Sequence, residues 1–87
     1  MDRRLEIVTR LLRFVSDYYR SFGKPVQMRV LSAKYAKMAM DCGGFPELIE
    51  SLTMDGSIKV FLLRSGAKVV YPFDAAETVV IIDAMKL

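Results

Sequence analysis

The sequence contains no histidine, a single cysteine, no asparagine and one glutamine, Gln27. Each shortage removes a class of function. Without histidine there is no imidazole general base, no Ser–His or Cys–His nucleophile pair, and none of the commonest zinc ligand. One thiol, Cys42, makes neither an intrachain disulfide nor a structural zinc site, and such sparing use of cysteine suits a reducing compartment. No basic residue lies within four positions of Cys42 to activate it, so a small residue at a helix end is the expected role. The phosphate-cradling loops GxxxxGK[ST] and GxGxxG are absent, and the ten carboxylates nowhere take the spacing of a calcium loop. The expectation is therefore a non-enzyme with no catalytic residue, no metal and no cofactor. A reaction would need a Lys, a Tyr or paired carboxylates brought together only by folding.

Long apolar runs are missing too. No segment approaches the ~18–20 apolar residues needed to cross a bilayer. Arg10 and Arg13 interrupt the N-terminal apolar residues at every turn, which excludes a secretory core. Glu6 and Asp17 do not suit an Arg-rich targeting helix. A cytoplasmic protein with no membrane partner is expected.

What is present fits one domain, residues 1–87. At 53% hydrophobic and 26% charged the chain is globular rather than disordered. A chain this short buries only roughly 60–65% of its unfolded surface, so a homodimer that covers more of its aliphatic content is one expectation. The net charge of +3 hides an asymmetry. Residues 1–40 hold nine Lys/Arg against three acidic residues, whereas residues 41–87 hold four against seven. A basic half of this kind attracts phosphate, acidic protein or anionic lipid, or is simply a solvated face.

Apolar spacing predicts a first helix over residues 5–22. Leu5, Val8, Leu12, Val15, Tyr19 and Phe22 recur every three or four positions, with Ile7, Leu11, Phe14 and Tyr18 beside them. Gly23 and Pro25 stop it. PVQMR at 25–29 suits a short extended segment. A second helix is predicted over 30–41, with Leu31, Tyr35, Met38 and Ala39 inward, ended by Gly43 in the left-handed conformation. A third, short helix opens at Pro46 and turns Leu48, Ile49 and Leu52 inward and Glu47 and Glu50 outward. Two strand-like runs then flank Ser65-Gly66. A two-residue turn there would set Leu62 opposite Val69 and Val60 opposite Tyr71. In the tail, Asp74 and Glu77 have capping-box spacing, which favours helix. Thr78–Ile82 is a β-branched run, which favours an extra antiparallel strand, the preferred reading.

Three helices followed by a β-hairpin and an extra C-terminal strand constitute an α+β, winged-helix-like arrangement, and the chain resembles the winged helix-turn-helix superfamily. Within it, PVQMRVLSAKY, GGFPELIESL and SIKVFLL are similar to the LOTUS domain. Leu31 and Tyr35 match its second helix, and Gly44, Phe45, Leu48 and Leu52 its third. The stretch between Tyr35 and Gly44 is shorter than in that family, and the β-rich tail is longer. The resemblance implies an adaptor that binds a helicase or folded RNA.

Nucleic-acid contact through the usual recognition helix is not expected. From Met38 through Ile58 there is no Lys or Arg, so the bidentate readers of bases are missing there. The basic residues lie elsewhere: Arg10, Arg13 and Arg20 on helix 1, Arg29, Lys34 and Lys37 on or near helix 2, and Arg64 and Lys68 beside the hairpin tip. They would contact phosphates of duplex or structured RNA without reading sequence. The alternative is a protein-interaction or dimerisation domain that uses acidic helix 3 and the apolar segment Val79, Val80, Ile81 and Ile82. A small-molecule pocket lined by methionine and tyrosine is a third reading, with no position assigned.

Overall fold

The computed structural model describes residues 3–75. The chain runs α1 (Arg3–Phe22), β1 (Val26–Gln27), α2 (Met28–Ala39), a 3-10 turn (Met40–Cys42), α3 (Phe45–Met54), β2 (Ile58–Leu62) and β3 (Lys68–Pro72). This is an α+β domain in which three helices pack on an antiparallel sheet of order β1-β3-β2. The strand expected over Thr78–Ile82 and the apolar interface at Val79, Val80, Ile81 and Ile82 lie outside the described residues. The third strand that is seen comes from the front of the chain. β-branched Val26 follows Pro25 and pairs with Val70, while Gln27 pairs with Val69.

α1 is the spine, as its periodicity predicts, but its buried stripe is narrower. Ile7, Leu11 and Val15, spaced by four, are buried, and Val8, Leu12, Phe14, Tyr18 and Tyr19 are half-buried. Leu5 and Phe22, near the two helix ends, are exposed. α2 begins two residues earlier than its spacing suggests, and it buries Leu31, Tyr35 and Ala39. Gly43, at φ 91°, ends the 3-10 turn, a conformation that a side chain disfavours. The amide of Gly44 then donates to the Ala39 carbonyl at 2.9 Å. α3 carries Pro46 in its first turn and buries Phe45, Leu48, Ile49 and Leu52.

The hairpin register differs from expectation by one residue. Val60 faces Val70, Phe61 faces Val69, Lys59 faces Tyr71, and Leu62 faces Lys68. The connection is a three-residue loop, not a two-residue Ser-Gly turn. Leu63 and Ala67 close it, with the Leu63 amide donating to the Ala67 carbonyl at 2.8 Å and the Gly66 amide to the Leu63 carbonyl at 3.0 Å. Gly66 sits at φ 90°, the left-handed residue that such a loop requires after its turn. The extra residue in the loop shifts each β3 partner by one position.

That register sorts the sheet into two apolar faces. Ile58, Val60 and Val70 join the helices in the main core, together with Leu11, Leu31, Leu48 and Leu52. Leu63, Val69, Tyr71 and Ala75 form a second cluster with Phe61 and Tyr19. The Tyr71 ring lies 5.5 Å from Tyr19 and 5.8 Å from Phe61, centre to centre. β3, the central strand, is therefore apolar on both sides, and both apolar clusters draw on α1.

Candidate nucleic-acid interface

Two grooves gather basic side chains. The first runs between α1 and α2 and has a volume of about 490 Å³. One helical turn of α1 places Arg10 and Arg13 on the same side, and Lys34 reaches the groove from α2. Aromatic rings set its wall. The Lys34 ammonium lies 4.9 Å from the centre of the Phe14 ring and 5.9 Å from that of Tyr35, within range of cation–π attraction. Phe14 and Tyr35 meet edge to face at 6.1 Å. The Tyr35 hydroxyl donates to the Arg10 carbonyl at 3.3 Å, joining the two helices. Burial pushes the Tyr35 hydroxyl above its ordinary pKa, an effect partly offset by the neighbouring Arg10 charge.

The cations of this groove are not all free. Arg10 pairs with Glu6 one turn away at 3.0 Å, an exposed pair of the kind that contributes little stability. Asp17 lies on the groove wall beside Arg13. The surface is thus positive but moderated.

The second groove, of about 840 Å³, lies between the start of α2, α3 and the hairpin tip. Arg29 and Lys68 line it from α2 and β3, with Glu50 of α3 as its one acidic side chain. The Arg29 Nε donates to the Gln27 Oε1 at 2.6 Å, which fixes the guanidinium against the end of β1.

Of the eight basic residues singled out from the sequence, Arg10, Arg13 and Lys34 share one groove, and Arg29 and Lys68 share the other. Arg20, Lys37 and Arg64 line neither. Sequence reasoning missed the aromatic wall of Phe14 and Tyr35, and the Gln27 and Glu50 partners in the second groove. Lys34 stands twenty residues from Phe14, and no local spacing signals that encounter. The outer face of α3 is acidic, as its sequence predicts: Glu47, Glu50 and Asp55 border a shallow depression with exposed Met54.

Among the described residues no polar or charged side chain other than tyrosine is buried, and no three His, Cys, Asp or Glu side chains group as metal ligands. Cys42 is a half-buried free thiol at the end of the 3-10 turn. No described helix is long and apolar enough to cross a membrane. No protein-family model, curated protein or solved structure matches the chain.

Proposed function

We propose that the chain is a non-catalytic, winged-helix-like module that holds the backbone of nucleic acid, duplex or structured RNA, without reading its sequence. The observation that carries this reading is the convergence of Arg10, Arg13 and Lys34, from two helices, on one groove. The element order supports a winged-helix relationship: the hairpin follows α3 directly, and β1 between α1 and α2 pairs with its second strand. The likeness to the LOTUS domain belongs to the same reading, and a cytoplasmic location accords with the lone unpaired thiol. α3 does not serve as a recognition helix here, because it carries no Lys or Arg to reach phosphates or base edges. Binding to duplex and to hairpin RNA should fall steeply and linearly in log–log form as salt rises, and neutralising one phosphate-binding cation should reduce the slope by about 1. Arg13→Glu combined with Lys34→Glu should lower affinity at least roughly tenfold at low salt. Flat titrations at low ionic strength would reject the reading.

The acidic face of α3 supports a second reading, a protein-interaction domain. Met54 is 81% exposed between Glu50 and Asp55, an apolar centre with an anionic rim that suits a basic partner segment or a second copy. Light scattering at high concentration, with Met54→Glu and Val80→Asp as disrupting variants, separates a dimer from a monomer.

A further inference from the structure

The groove between α2, α3 and the hairpin tip has a charge layout that backbone binding alone does not explain. Its floor is apolar: Phe45 and Ile49 are buried, and Met28 is half-buried. Arg29 and Lys68 come from different elements, and Glu50 lines the same space. Neither Lys68 nor Glu50 forms an ion pair among the described residues.

We propose that this groove accepts one unpaired nucleotide, with Arg29 and Lys68 on its phosphate, the apolar floor against its base, and Glu50 accepting from an exocyclic amine. The inference rests on the nucleic-acid reading above and names the part of the ligand that this second groove takes. The occupant follows from charge complementarity. A basic peptide would be repelled by Arg29 and Lys68, and acidic side chains would leave Glu50 without a donor. A nucleotide carries an anionic phosphate and, in cytosine, adenine or guanine, an amine donor on the base edge.

The Gln27 contact occupies the Arg29 Nε and leaves the terminal guanidinium nitrogens as a planar donor pair suited to phosphate oxygens. Ionised Glu50 only accepts hydrogen bonds, as a carboxylate does from the cytosine amine. Uracil has a carbonyl in place of that amine and offers the carboxylate no donor at that position. Met28 and Ile49 line the groove and give a flat ring an apolar surface to rest on. A volume of about 840 Å³ is ample for one nucleotide. A base within a duplex stack cannot reach this floor, so the ligand is a loop, bulge or single strand.

The test has two arms, both on the full chain. In the first, cytidine monophosphate and uridine monophosphate are titrated while backbone amide resonances are followed. Cytidine should shift Ile49, Gly66 and Ala67, and uridine should do so at least roughly tenfold more weakly. Silence of these amides with both nucleotides would overturn the groove assignment, as would equal response to both. In the second arm, hairpin RNAs with one stem and all-cytidine or all-uridine loops are compared with the blunt stem. The cytidine loop should bind roughly tenfold tighter than either of the others. Glu50→Gln, an exposed substitution whose amide also donates to a carbonyl, should raise the uridine loop to the level of the cytidine loop. Equal affinity of all three RNAs for the unaltered protein would overturn the groove site and leave backbone binding standing. Failure of every RNA to bind at low salt would overturn the backbone reading instead. Movement of the same amides with a Leu/Glu peptide, but not with nucleotide, would assign the groove to a protein partner and reject the proposal.

Discussion

Among the described residues, two titratable side chains have environments that alter their chemistry, and each leads to a pH prediction. Asp55 caps the end of α3 by accepting the Ser57 amide at 2.9 Å. Its hydrogen bonds with Ser57, side chain first and backbone second, lower its pKa from the ordinary 3.8. Its stabilising contribution is therefore present above that ordinary value and declines as pH falls through the lower folded value. Denaturant titrations across acid pH should show a decline in stability that Asp55→Ala reduces. Asp55→Asn, which keeps the acceptor but not the charge, should remove the same share of the pH dependence while retaining much of the turn. Tyr35 behaves in the opposite sense. Burial raises its pKa above 10.0, so the neutral hydroxyl favours the fold at lower pH and that advantage disappears as pH rises through the folded value. Tyr35→Phe should cost about 0.5–1.5 kcal/mol near neutrality, because the bond to the Arg10 carbonyl is removed. It should also remove this residue's share of the alkaline decline, followed by ultraviolet titration.

At the scale of elements, the hairpin turn shows how one residue sets a whole strand. The loop demands a left-handed residue, and Gly66 at φ 90° supplies it. A Cβ there would meet nothing within 4 Å, so the cost of Gly66→Ala is conformational, roughly 1–2 kcal/mol, and thermal or chemical unfolding should register it. Leu11→Ala, in the fully buried centre of α1, should cost more, about 2–5 kcal/mol. The helices were legible because periodicity is a local property. Leu31 and Tyr35, or Leu48 and Leu52, fall one turn apart in the chain and on one face in space. The hairpin register was not legible, because Ser65-Gly66 suits either a two-residue turn or the last two positions of a three-residue loop. Only the pairing of Leu63 with Ala67 decides between them.

At the scale of the molecule, the eight basic residues singled out from the sequence do not line one groove. They divide between the α1–α2 groove and the groove before the hairpin tip, with Arg20, Lys37 and Arg64 in neither. This division gives the two proposed contacts separable signatures. Charge reversal at Arg13 and Lys34 should weaken every nucleic acid alike and flatten the salt dependence, whereas change at Glu50 should alter base preference with little effect on the blunt stem.

The amino-acid order by itself determined the three helices among the described residues, most of their inward positions, the acidic exterior of α3 and the lack of imidazole chemistry, because each is a matter of composition or short-range spacing. Tertiary structure alone decided that Val26–Gln27 joins the sheet beside β3, that Lys34 rests over Phe14, and that Arg29, Lys68 and Glu50 border one groove. Those neighbours are distant in the chain. They meet because apolar burial folds α1, α2 and the hairpin onto a shared core, a long-range outcome that no short-range pattern encodes.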